Sequence, residues 1–150
     1  MKKYMIGLAS LMFLGVMGVA QAQNCTIDLD SNDKMQYDKK EVTVSASCKN
    51  ITVNLKHTGQ LPATAMGHNV VITKTSDMTA VSQASMKTGA PSYTAKDDKR
   101  IVAYTDMIGG GQNTKVSFSG NKLEAGGDYT FFCSFPGHSS LMKGKIVVTP

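Results

Sequence analysis

The chain has 150 residues and carries 16 Lys and Arg against 11 Asp and Glu, a formal charge of +5. That length suits one domain around one core. The basic excess is scattered, with no run of Lys or Arg and no aromatic residues interleaved with a basic patch, which argues against a nucleic-acid binder.

The N-terminus opens "MKKYMIGLASLMFLGVMGVAQAQNC". Lys2 and Lys3 form a basic start, Tyr4 to Ala20 is apolar apart from Ser10, and Ala20-Gln21-Ala22 places small residues where a signal peptidase reads. The apolar stretch is slightly short for a membrane span. Asn24 stands where lipidation of Cys25 would call for a small residue. The expectation is a secretory signal peptide over 1–22, removed after Ala22, and a single exported domain over 23–150 with no membrane attachment. Export implies an oxidising compartment, where paired thiols persist as disulfides. Of three cysteines, Cys25 and Cys48 lie near the start of the domain and Cys133 near its end. The simple partition is a Cys25–Cys48 bridge and one thiol with another task.

The mature chain alternates apolar and polar residues in short runs. Strands are predicted over 25–31, 41–47, 51–57, 68–74, 101–107, 114–120, 128–133 and 145–149. Lys49-Asn50, "GGGQN" at 109–113 and "AGGD" at 125–128 supply turns between them. One stretch departs from the pattern. "SDMTAVSQASMKTG" at 76–89 spaces Met78, Val81, Ser85 and Met86 helically, with Ser76 as a candidate N-cap and Gly89 as a stop. A short helix around 76–88 is predicted, packed through that methionine and valine face. Repeats and low-complexity segments are absent. Short strands in this number point to an all-β, two-sheet Greek-key sandwich whose end loops carry the chemistry.

Such a loop is "FFCSFPGHSSLMKG" at 131–144, which brings Cys133, His138 and Met142 close in sequence. His68 opens another predicted strand, after the loop at 58–67. A lone histidine is more often an ordinary polar residue, and a methionine is more often core. Together they make a soft, mixed donor set. Structural zinc sites rarely use methionine, and calcium and magnesium want oxygen. Two His and one Cys with a weak axial Met describe a blue-copper electron-transfer site. Pro136 and Gly137 fit a tight, fixed loop, and Phe131, Phe132 and Phe135 can exclude water.

"MGHN" at 66–69 together with the Cys-x4-His-x3-Met spacing of 133–142 resembles the azurin branch of the cupredoxin, or blue-copper, family. The resemblance runs over nearly the whole mature chain and takes in Cys25, Cys48 and "TVNLKHTGQLP" at 52–62. It implies a cupredoxin-like sandwich with one mononuclear type 1 copper. His68, Cys133 and His138 would be equatorial, Met142 a long axial ligand, and the Gly67 carbonyl would approach from the opposite side. Asn69 would tie the two ligand loops together near the thiolate, with Phe135 beside them. His57 would sit near the site without binding, as a partly buried histidine. No tryptophan is present, and Val70 stands where some family members have one.

The resemblance also implies a periplasmic shuttle that works as a monomer. The ring of His138 should reach the surface within an apolar docking patch of Met35, Leu61, Ala65, Met66, Met86, Phe135, Pro136 and Leu141. Partners would be c-type cytochromes and periplasmic reductases or dehydrogenases. Copper enzymes with a cupredoxin site place a histidine directly after the cysteine. Ser134 stands there instead, so an electron carrier is expected rather than an enzyme. The alternative is a periplasmic copper carrier or storage protein; a zinc-bound module is a further possibility for the same ligands.

Overall fold

The computed structural model describes residues 23–150, and the expected signal peptide over 1–22 lies outside them. Among the described residues, no helix is long and apolar enough to cross a membrane. Nine strands among these residues form two sheets. They are β1 (Thr26–Asn32), β2 (Gln36–Tyr37), β3 (Glu41–Ser45), β4 (Asn50–His57), β5 (Val71–Lys74), β6 (Ile101–Tyr104), β7 (Asn113–Ser119), β8 (Tyr129–Phe132) and β9 (Lys143–Thr149). One sheet has the order β2-β1-β4-β7 and the other β3-β9-β8-β5-β6. β1 and β4 pair in parallel, as do β3 and β9, so non-consecutive strands lie side by side. The expected all-β sandwich is the fold.

Alternation explains the packing. In β1, Ile27, Leu29 and Ser31 face inward; in β4, Ile51, Val53, Leu55 and His57 do. His57 and Ser31 take the last inward positions of two paired strands, and this carries polar groups to one end of the core. β8 is buried along its whole length because both faces are covered. Tyr129 and Phe131 point into the main core, while Phe132 joins Val71 and Val81 in a smaller cluster on the outer face. Cys25 and Cys48 form the disulfide, 23 residues apart, and Cys133 is free and buried.

Three expectations change. The strand predicted from His68 begins only at Val71; His68 makes a single bridge to Ile108. The loop at 58–67 contains a one-turn helix, α1 (Ala63–Met66), after Pro62. The predicted helix is real, but α2 spans Met78–Lys87 after a 3-10 turn at Thr75–Asp77, and no side chain caps it. Its inward face is Val81, Ser82 and Ser85, whereas Met86 is 40 % exposed. The serines can face inward because they find partners. Ser82 Oγ donates to Ser139 Oγ at 2.9 Å, and Ser85 Oγ accepts the Ala95 N–H at 3.1 Å. Gly89 does follow α2 with φ of 74°, the left-handed stop expected of it.

Candidate metal centre

The site forms where two loops meet at the end of the sandwich. Gly67 and His68 come from the segment between α1 and β5; Cys133 and His138 come from the segment between β8 and β9. Gly67 is required there by close approach, since a Cβ would meet the Ala63 carbonyl oxygen at 2.5 Å and Met107 Sδ and Phe135 Cδ2 at 3.0 Å. Gly137, with φ of 82°, turns the second loop into the 3-10 segment His138–Ser140. The His138 carbonyl accepts the Met142 N–H at 2.8 Å, and the Met142 carbonyl accepts the Cys133 N–H at 3.0 Å. These bonds draw the cysteine, histidine and methionine of one loop into one buried cluster.

The donor atoms of His68, Cys133 and His138 lie within 4.8 Å of one another, and all three residues are buried. Cys133 Sγ is 3.9 Å from His68 Nδ1, 3.7 Å from His138 Nδ1 and 3.7 Å from the Gly67 carbonyl oxygen. Met142 is fully buried in the same cluster as Cys133. His68 has its orientation fixed from behind. Its Nε2–H donates to the Asn32 carbonyl at 2.8 Å, which leaves Nδ1 facing the sulfur. Among the described residues, no protein group bonds Nε2 of His138, and no buried side-chain nitrogen or oxygen lacks a partner. That nitrogen therefore keeps some contact with solvent. The residue is only 3 % exposed, so the ring expected at the surface is almost wholly covered, with Phe135 packed 4.6 Å away.

Burial sets the protonation states. Desolvation lowers the His68 pKa from 6.5 to about 4 and lowers that of His138 as well. Desolvation also pushes the Cys133 thiol up to about 12, against backbone N–H groups of Asn69 and Phe135 that hydrogen-bond toward Sγ. Both imidazoles are thus neutral and ready to bind, while the thiol gives up its proton only to a strong Lewis acid. The set contains no carboxylate. Two imidazole nitrogens, a thiolate and a thioether fit copper and do not fit an oxygen-seeking cation.

His57 is a correction. It is fully buried rather than partly so, and both its nitrogens are spent. Nε2–H donates to the Met66 carbonyl at 2.9 Å and Nδ1 accepts the Gly59 N–H at 3.1 Å, with the ring stacked 4.4 Å from His68. It braces the ligand ring and offers no nitrogen to the centre. Asn69 joins the two loops through Oδ1, which accepts the Ser134 N–H at 2.9 Å, and Nδ2, which donates to Ser134 Oγ at 2.8 Å and Thr94 Oγ1 at 3.0 Å. Of the expected docking residues, Leu61, Met86 and Leu141 are exposed at 42 %, 40 % and 56 %, and Ala65 and Pro136 are also exposed. Met66 and Phe135 are half-buried, and Met35 is turned toward the core, packed against its edge at φ of 55°. Asn32, Thr94 and Thr105 have no signature in the sequence, since they act through a carbonyl or a hydroxyl that only the fold brings near.

Residues 23–149 match the family described as copper binding proteins, plastocyanin/azurin family. The azurin of Bordetella pertussis is 52 % identical over 126 residues, which cover 83 % of this chain and 84 % of that protein. Azurin-1 of Alcaligenes xylosoxydans xylosoxydans is 54 % identical over 123 residues, covering 81 % of this chain and 95 % of that one. Among solved structures, the azurin Az-iso2 of Methylomonas sp. strain J superposes with a TM-score of 0.80 at 39 % identity, over 84 % of this chain and 98 % of that chain. The fold, the buried His-Cys-His cluster and these matches agree: the chain belongs to the plastocyanin/azurin family of copper-binding proteins.

Proposed function

We propose that this protein is a periplasmic single-electron carrier. One type 1 copper would be held by His68 Nδ1, Cys133 Sγ and His138 Nδ1, with the Met142 thioether and the Gly67 carbonyl as further donors. Bound there, the copper supplies a Cu(I)/Cu(II) couple. The observation that supports this most is the convergence of three buried donor atoms within 4.8 Å, in a set without a carboxylate. The protein's part is to keep them still. Asn32 and His57 hold the His68 ring, Asn69 holds the Cys133 loop to the His68 loop, and the Phe135 ring packs against His138. A frame that moves little between oxidation states lowers the reorganisation that electron transfer must overcome.

His138 is the exit in this reading, and the exposed side chains of Leu61, Ala65, Met86, Pro136 and Leu141 supply the apolar docking surface. Small interfaces suit brief redox encounters. The partners that fit are c-type cytochromes and periplasmic reductases or dehydrogenases, met by a monomer after export and loss of residues 1–22. Intact mass of the exported protein checks that it begins at Gln23. Ser134 after Cys133 leaves no histidine relay to a second centre, in keeping with a carrier rather than an enzyme.

Reconstitution of the mature protein with Cu(II) tests the reading. An intense band at the red end of the visible spectrum, bleached by reductant, is expected; Cys133→Ser loses the band and keeps the Cys25–Cys48 bridge. Stoichiometric copper without colour in the unmodified protein would overturn the reading in favour of a copper carrier or storage protein.

A further inference from the structure

β5 begins at Val71, so His68, Asn69 and Val70 pass the centre without a continuous ladder. Their backbone groups are met one by one. His68 exchanges two bonds of 2.9 Å with Ile108, and the Val70 carbonyl accepts the Thr105 N–H at 2.9 Å. The peptide between Asn69 and Val70 is held differently. Its N–H donates to Thr105 Oγ1 at 2.9 Å, and its carbonyl accepts the hydroxyl of Tyr37. Two side chains thus grip one peptide from opposite sides. Both are buried, Tyr37 at 4 % and Thr105 at 2 % exposure, and they come from distant parts of the chain, β2 and the residue after β6.

The gripped peptide adjoins the centre. The Asn69 side-chain amide holds Ser134, the residue after Cys133, through bonds of 2.9 and 2.8 Å, and the Asn69 N–H favours the thiolate form of Cys133 against the burial that disfavours it. Packing alone does not call for a phenol at Tyr37, because a phenylalanine would fill the same space against Phe131, whose ring lies 5.5 Å away. A buried hydroxyl adds desolvation cost unless it bonds, and this one has the Asn69 carbonyl as its partner. Burial also keeps the phenol protonated, and so a donor, far above pH 10.

We propose that Tyr37 and Thr105 are positioning residues of the metal centre, gripping the Asn69–Val70 peptide so that the Asn69 N–H stays set against the Cys133 sulfur. The redox consequence rests on the copper reading above; the grip belongs to the metal-free fold. Hydrogen bonding to the cysteine sulfur draws charge from the thiolate and favours the reduced metal, so a loosened Asn69 lowers the reduction potential.

Tyr37→Phe and Thr105→Val remove one hydroxyl each and keep nearly the same shape, while Thr105→Ser keeps the hydroxyl. Amide exchange at Asn69 and Phe131 is followed in the metal-free proteins by NMR, and the potential of the copper-loaded proteins is read by voltammetry. Expected for Tyr37→Phe and Thr105→Val are several-fold faster exchange at Asn69 with Phe131 unchanged, the order set by one buried hydrogen bond, and a lower potential; Thr105→Val also speeds exchange at Val70, whose N–H loses its acceptor. Thr105→Ser should match the unmodified protein in both. Unchanged Asn69 exchange and potential would sink the proposal. So would equal acceleration at Asn69 and Phe131 with no shift in potential, which marks a purely structural role. Failure of the unmodified protein to form the coloured copper species overturns the copper reading only, and Asn69 exchange then decides the grip.

Discussion

His57 and His68 are the same chemical group, eleven residues apart, stacked 4.4 Å from each other. What separates brace from ligand is which nitrogens are occupied. His57 spends both on Met66 and Gly59, whereas His68 spends only Nε2, on Asn32. Neither carbonyl partner can be read from a side-chain motif, which is why the sequence flagged His68 by its "MGHN" context and left the surroundings of His57 open. The buried state of His68 has a consequence for acid stability. Its folded pKa of about 4 lies below the ordinary 6.5, so the unfolded chain takes up the proton first as pH falls. Stability from this group is complete above pH 6.5 and is lost progressively down to about pH 4. The full loss is roughly 3 kcal/mol. Urea titrations of the metal-free protein between pH 7.5 and 4 should show that decline, and replacing His68 by Gln should make it shallower, leaving the part due to His138.

At the scale of elements, α2 shows how far a helical pattern can be trusted. Spacing located the helix and its inward Met78, Val81 and Ser85, but it also turned Met86 inward and passed over Ser82. Apolar character marked Met86, yet the turn that meets the sheet presents Val81, Ser82 and Ser85, and the serines are held by Ser139 and Ala95. Val81 is fully buried against Val71 and Phe132. Val81→Ala should therefore cost about 2 kcal/mol, while Met86→Ala should stay within about 0.5 kcal/mol. Thermal melts of the two variants decide between the faces. β2 and α1, of two and four residues, are too short to show a period. Both matter to the centre, since β2 carries Tyr37 and α1 ends one residue before Gly67.

Over the whole molecule, the disulfide and the metal centre are mechanically separate. Cys25 and Cys48 lie just before β1 and β4, and the far ends of those strands, Asn32 and His57, support His68. Seven residues of strand put about 23 Å between them. Replacing Cys25 and Cys48 by Ala should lower stability by about 3 kcal/mol, as expected for freeing a 23-residue loop. The visible spectrum of the copper-loaded protein should stay unchanged. A spectral change would show that the sandwich transmits strain along its length.

The sequence by itself determined the class of fold and named the candidate donors. Strand alternation is a local period, and the spacing of Cys133, His138 and Met142 puts three donors in one loop. It also determined that Cys133 is the unpaired thiol, because the other two cysteines lie together at the start of the domain. Only the tertiary structure decided that His68 reaches that loop, which of its nitrogens faces inward, and how little of His138 is left in contact with water. It also decided that Met35 is half-buried against the edge of the core and that Tyr37 and Thr105 meet on one peptide. These depend on contacts between residues far apart in the chain, and on backbone carbonyls that every residue carries. No residue type announces them, so the folded chain alone selects which are used.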